Sequence, residues 1–331
     1  MDWNQRMRED WDRRAREDAE RFIYTRDSAS DAEDFVRSGE ANYRQLVRPY
    51  LPILLGGKPA CDCRAVEIGC GIGRMTEWLA ADFGFVEALD VSPAMIQAAR
   101  QRLGHVPNIA FHSGSGSDLA PVADASADLV FSYIVFQHIP SRTAIEGYVS
   151  DAARILKDGG AFKFQLNGDQ TPAYLAHQRD TWLGEVFSEA DVARMLAAAG
   201  LTPIASEGAG TQYYVVTAIK GAPPARSYVL PGEPWAAPFL MEGFGPAVDG
   251  SWRPMAGRAK LRVEGRGTRL YLGLYFWPES CHHELTVAGH RFQVSTPGDH
   301  YFECPRGEGE IEITLDPPPE KHPAFRVMGV Y

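Results

Sequence analysis

Val66-Glu67-Ile68-Gly69-Cys70-Gly71-Ile72-Gly73-Arg74 decides the fold. A β-type run enters a turn with glycine at every second position and leaves into a helical stretch, 73–81. Such a turn exposes backbone N–H groups and lets a ligand approach the main chain. A dinucleotide fingerprint, G-x-G-x-x-G, needs glycine where Arg74 stands. The actual spacing, G-x-G-x-G, favours a cofactor without a pyrophosphate. The next acid in a suitable place is Asp90, closing the run Val86-Glu87-Ala88-Leu89-Asp90. A carboxylate at the end of that second strand can accept both hydroxyls of a ribose.

Outward from this stretch, short β-rich runs alternate with helical ones across residues 61–220. Strands are expected at 65–68, 86–90, 109–112, 129–133, 161–166, 201–206 and 213–219, with helices at 73–81, 93–103, 142–156 and 189–199. That alternation marks a parallel sheet covered by helices. The punctuation agrees. Ser92-Pro93 supplies an N-cap and a proline at the first helical position. Ser188 with Asp191 makes a capping-box start, and Gly200 a stop.

Residues 1–60 read as a helical cap. Trp3, Met7 and Trp11, then Phe22 and Ile23, fall near helical spacing among alternating Arg, Asp and Glu. The charges form a solvated face, and the apolar stripe fits a lid over a neighbouring site. Residues 221–238 hold five prolines and are expected to break any regular element as a linker. From 239 to 331 the periodicity becomes two. Ala259, Leu261 and Val263, then Leu270, Leu272, Leu274 and Phe276, alternate with their neighbours, which predicts an antiparallel β-sandwich.

The 331 residues, 45% hydrophobic and 23% charged, suffice for two domains. A net charge of −10 without any Lys/Arg block argues against nucleic acid and anionic membrane as partners. The first 25 residues carry charges throughout, and no run reaches the roughly 18 apolar residues of a membrane span. A soluble cytoplasmic protein is expected. Five cysteines lack a disulfide-scaffold spacing; Cys61-x-Cys63 and Cys281-His282-His283 read as reduced structural residues rather than a metal site. No P-loop, nucleophile elbow or paired-carboxylate pattern stands out.

Glu67, the glycine turn, Asp90 and the strand at 129–133 together resemble the class I S-adenosylmethionine-dependent methyltransferases. Further matches are Asp90-Val91-Ser92-Pro93-Ala94-Met95-Ile96, Ser126-Ala127-Asp128-Leu129-Val130 and Arg154-Ile155-Leu156-Lys157-Asp158-Gly159-Gly160. The resemblance covers roughly residues 60–170 and loosens towards 220. It implies an α/β fold: a Rossmann-like, doubly wound, mostly parallel seven-stranded sheet with S-adenosyl-L-methionine as cofactor. Gly69, Gly71 and Gly73 would pass close to the methionyl part and ribose. Glu67 would orient the turn and the amino group, and Asp90 would hold the ribose. Val91 and Met95 would flank the adenine. Where the family often has an acid facing the adenine amine, this chain has Ser115, so that Ser115, the Gly116 backbone or Asp118 would serve. Ser132 would contact the methionyl amine. His138, in Phe136-Gln137-His138-Ile139-Pro140, is the first candidate base, with His177 and Asp180 of the long 167–187 connection as alternatives.

The 239–331 segment resembles the accessory β-sandwich found beside methyltransferase domains in some bacterial surface-glycan clusters. Glu242-Gly243-Phe244, Gly250-Ser251-Trp252-Arg253 and Leu285-Thr286-Val287-Ala288-Gly289 carry that likeness. Tyr271, Tyr275 and Trp277 share one face, and aromatics two strand positions apart, as Tyr275 and Trp277 are, lie about 7 Å apart, which suits stacking against sugar rings or burial in an interface. The resulting expectation is O-methylation of a sugar or glycan-type acceptor. The alternatives are a small non-sugar metabolite, with the sandwich building contacts in a homo-oligomer, or a glycan-binding protein whose nucleotide fold is degenerate.

Overall fold

The structure, a computed structural model, describes residues 2–24, 32–221, 228–232, 234–248, 252–262, 268–307 and 309–330. In chain order the first elements are α1 (Trp3–Ile23), α2 (Ala32–Leu46), α3 (Leu51–Leu54), β1 (Arg64–Ile68), α4 (Thr76–Asp82), β2 (Phe85–Asp90), α5 (Pro93–Leu103) and β3 (Ile109–Ser113). Then come β4 (Ala127–Ser132), α6 (Arg142–Ile155), β5 (Leu156–Leu166), α7 (Pro172–Leu175), α8 (Glu189–Ala198), β6 (Leu201–Glu207) and β7 (Tyr214–Lys220). Among the described residues nine strands follow: β8 (Tyr228–Val229), β9 (Leu240–Phe244), β10 (Arg253–Arg262), β11 (Arg269–Phe276), β12 (His283–Val287), β13 (His290–Val294), β14 (Gly298–Pro305), β15 (Glu310–Asp316) and β16 (Ala324–Val330). The chain divides into two units, 1–43 with 58–223 and 44–57 with 224–331. Residues 44–57, read above with the N-terminal cap, thus group with the second unit.

In the first unit, seven strands pair in the order β3-β2-β1-β4-β5-β7-β6. β7 is antiparallel to β5 and β6, and the remaining pairs are parallel. Strands covered on both faces read as near-continuous apolar runs, and Val66, Ile68, Val130, Phe162 and Phe164 are all buried. The helices start where their caps put them. Ser92 Oγ accepts Met95 N–H at 3.1 Å, Ser141 Oγ accepts Ala144 N–H at 3.2 Å, and Ser188 forms the full capping box with Asp191. The helix expected from residue 73 begins instead at Thr76, because Gly73 sits at φ +89°, outside helical space. Sheet order reverses between β1 and β4, and the crevice outside the strand ends at such a point is where open α/β sheets bind ligands.

In the second unit the path β13-β12-β15-β10-β16-β11-β14 carries β9 on β10 and β8 on β16. β10 turns the corner: residues 258–262 pair with β15, while Arg253 and Pro254 pair with β16. The two layers close on one core holding Met255, Leu261, Leu272, Leu285, Ile313 and Phe325. The segment expected to lack regular structure contains β8 and a 3₁₀ turn, Pro234–Phe239. The aromatic stripe does not form one open platform. Tyr271 is buried and stacks on Tyr301, whereas Tyr275 and Trp252 meet Trp277 edge-on. Lys321 lies over the Trp277 ring, 4.4 Å from its centroid. Val263, Gly250 and Ser251, used in the sequence reading, lie outside the described residues.

Candidate active site

The turn after β1 works because its three glycines take left-handed φ of +72° (Gly69), +54° (Gly71) and +89° (Gly73). Space is equally restrictive. A Cβ at Gly69 would lie 2.4 Å from Val135 Cγ2, and one at Gly71 2.6 Å from Ile23 Cδ1. Gly69 and Cys70 donate their N–H groups to Leu89 O, which pins the turn to β2. Gly71 N–H donates to Asp90 Oδ2 and Ser92 N–H to Asp90 Oδ1, both at 2.9 Å. Each carboxylate oxygen of Asp90 thereby keeps a lone pair for a ligand. Burial pushes the Asp90 carboxyl up to about 6, against the pull of those backbone N–H groups.

Beside this turn lies an open cleft lined mainly by apolar side chains with a few convergent polar groups, the usual make-up of a small-ligand site. Glu67, Gly69, Gly71, Asp90, Val91, Met95, Gly116 and His138, all anticipated from sequence, line it. Glu67 is 4% exposed, accepts the Thr76 hydroxyl at 2.5 Å, and is pushed up to about 7 by burial.

Other expected residues lie elsewhere. Gly73 shapes the turn without reaching the cleft; its carbonyl accepts Arg102. Ser132 is buried and donates to Ile68 O across the β1–β4 pair, so it is a sheet contact rather than an amine ligand. The Ser115 hydroxyl accepts the N–H groups of Ser117 and Asp118, and Asp118 itself accepts Ala120 N–H. Gly116 is therefore the one of those three at the cleft wall. Asp180 is spent on a turn, accepting Trp182 and Leu183 N–H, and His177 lies against Tyr174; neither lines the cleft.

His138 sits in a 3₁₀ turn after β4 with Nδ1–H donating to Trp182 O at 2.7 Å. That contact sets the tautomer, and Gln137 Nε2 donates to the ring Nε2 at 3.2 Å. Trp11 and Trp182 enclose the ring, with centroids at 5.5 and 5.0 Å. Burial holds His138 down at about 4, so the imidazole is neutral at physiological pH.

The family profile described as "Methyltransferase domain" matches residues 66–164. Residues 66–164 belong to the class I S-adenosylmethionine-dependent methyltransferase family. A trans-aconitate 2-methyltransferase from Methylobacterium nodulans is 32% identical over 154 residues, 46% of this chain and 55% of that protein. A demethylmenaquinone methyltransferase from Tropheryma whipplei is 35% identical over 95 residues, 29% of this chain and 38% of that one. The chain therefore spans about half or less of these relatives. Among solved structures, the geranyl diphosphate C-methyltransferase of Streptomyces coelicolor A3(2) aligns with a TM-score of 0.48 at 16% identity, covering 66% of this chain and 98% of that one.

Met7, Trp11, Phe22 and Ile23 of α1, from the stripe read as a lid, line the cleft. The methyltransferase domain also uses residues whose roles the sequence does not show. The helix breaks at Asp18, whose carboxylate caps the next turn by accepting Arg21 N–H, and this break aims Phe22 and Ile23 at the site. Asp12 accepts the Ser92 hydroxyl and, at 3.0 Å, Ala94 N–H. It thus holds the N-terminus of α5 from the lid side. Ile134, also in the wall, has φ +55°, an unusual conformation for a β-branched residue. Gln165 fixes it by accepting Ile134 N–H at 3.0 Å, and donates in turn to Gln137 and Gln212 O. Among the described residues no group of three or more His, Cys, Asp or Glu is placed to hold a metal.

Proposed function

We propose that the protein transfers the methyl group of S-adenosylmethionine to a small-molecule acceptor held under α1 beside His138. One observation carries the reading: Asp90 accepts the N–H of Gly71 at the floor of the cleft while the glycine turn leaves no room for any Cβ. The cofactor fits the chemistry of the residues present. Asp90 would hold its ribose, Val91 and Met95 would flank the adenine, and Glu67 would face the amino group. A buried carboxyl, Glu67, and a half-buried one, Asp90, also suit a ligand carrying ammonium and sulfonium charges. The bound cofactor would supply an activated methyl group with its own leaving group, so the chain contributes alignment and exclusion of water.

Met7, Trp11, Phe22, Ile23, Val135 and Ile139 make the wall mostly apolar. That wall supports a small acceptor with a sizeable apolar part, in keeping with the relative named for demethylmenaquinone, whereas the trans-aconitate of the other is a polar tricarboxylate. A glycan acceptor, the narrower expectation, would rest on Trp252, Tyr275 and Trp277, and Lys321 already covers one of those rings. Both ring nitrogens of neutral His138 are engaged, Nδ1–H by Trp182 O and Nε2 by Gln137, so the ring suits a positioning role in the wall. As a base it would be weak, because burial opposes its protonation.

Titration calorimetry with S-adenosylhomocysteine, followed by a screen of metabolite and glycan acceptors for the demethylated cofactor, tests the proposal. Micromolar binding that Asp90→Ala weakens by about 1–3 kcal/mol supports it; no binding refutes it. With an acceptor in hand, His138→Ala should lower turnover and leave that binding unchanged.

A further inference from the structure

Arg74 is 5% exposed and lines the cleft, an expensive place for a guanidinium without an anion. Its Nη1 donates to two neutral groups of α2, Asn42 Oδ1 at 2.6 Å and Ser38 Oγ at 3.4 Å. Its Nε is buried and has no partner. Burial pulls the guanidinium down from its ordinary value, and Glu67, a carboxylate that acts on it, is itself held towards neutrality.

The surroundings are built to keep Arg74 in place. α2 passes so close that a Cβ on Gly39 would lie 2.2 Å from Arg74 O. Ser38 and Asn42 flank that glycine on the same helix and brace the side chain from behind. The groups that act on Arg74 electrostatically are Tyr133, Glu67 and Tyr24. Arg74 and Glu67 line the same cleft, and Glu67 acts on the guanidinium.

We infer that Arg74, braced by Ser38, Gly39 and Asn42, binds a carboxylate in the cleft, and that its place beside Glu67 assigns this carboxylate to the amino-acid end of the cofactor. This rests on the cofactor reading above. A planar guanidinium with a free Nε matches a carboxylate in a way that an ammonium cannot reproduce.

Titration calorimetry on the full chain tests it with two probes, S-adenosylhomocysteine and its decarboxylated analogue, which keeps the amine. Arg74→Gln preserves a donor towards Asn42, and Arg74→Lys preserves the charge. Arg74→Gln should weaken S-adenosylhomocysteine by roughly ten- to a hundredfold and the decarboxylated analogue by less than about threefold, with Arg74→Lys in between. Equal losses for both probes would make Arg74 a structural residue and overturn the inference. So would unchanged S-adenosylhomocysteine affinity with a raised KM for an acidic acceptor, since the carboxylate would then be the acceptor's. Wild-type protein that binds neither probe removes the cofactor reading itself, an outcome distinct from either pattern among the variants.

Discussion

Two carboxyls and one imidazole share the floor and wall of the cleft, and their titrations oppose one another. Glu67, raised to about 7 by burial, binds its proton more tightly folded than unfolded. Stability from this group is therefore lost as pH rises from about 4.5 to 7. Asp90, raised to about 6, acts in the same direction between about 3.8 and 6. His138, lowered to about 4, does the reverse: its contribution is present above about 6.5 and is lost as pH falls towards 4. Glu67→Gln removes one side of this balance while keeping an acceptor for Thr76. It should raise the unfolding free energy of the ligand-free protein at pH 8 by on the order of 2–3 kcal/mol and change little at pH 4. Urea unfolding at the two pH values measures this, and an equal gain at both would contradict it.

At the scale of elements, the lid and the sheet meet through one carboxylate. Asp12 on α1 accepts from the Ser92 hydroxyl and from Ala94 N–H at the start of α5, so one helix caps another. Asp12→Ala should cost about 0.5–2 kcal/mol, the usual worth of a cap, and should raise the exchange rate of α1 amides. Hydrogen exchange that leaves α1 unchanged would show that the helix is held elsewhere. The strands, α5, α8 and the glycine turn were legible in the sequence because local rules write them: apolar runs, caps at Ser92 and Ser188, glycine where φ is positive. Asp12, Arg74 and Gln165 were not. Asp12 reads as one more charge on a solvated helix, and Arg74 merely as the residue that is not glycine. Their partners lie 80 residues away for Asp12–Ser92, 32 for Arg74–Asn42 and 31 for Ile134–Gln165. Only the tertiary packing of helices and strands brings such pairs together. Ser132 is a related case: its hydroxyl donates to Ile68 O of the neighbouring β1, a contact that strand pairing sets and the local sequence does not show.

At the scale of the molecule, the units do not follow the sequence in two consecutive blocks. Residues 44–57 group with 224–331, and Val47, Tyr50, Ile53, Leu54 and Leu55 of that segment are all buried. Removing 224–331 at the proline-rich stretch should leave these side chains without their unit. The shortened chain is expected to aggregate or to bind a hydrophobic dye strongly, as read by light scattering and dye fluorescence. Replacing 44–57 in the same truncation by a short Gly/Ser linker should reduce both signals. A simple truncation that stays monomeric and dye-silent would contradict the grouping.

Because the chain passes into the second unit twice, exchange of that unit between genes could not proceed through one crossover. A recombinant joined only near residue 224 would acquire a new sandwich while retaining the old 44–57 segment. Drift in either stretch is therefore tied to the other, and co-variation is to be expected between positions nearly two hundred residues apart.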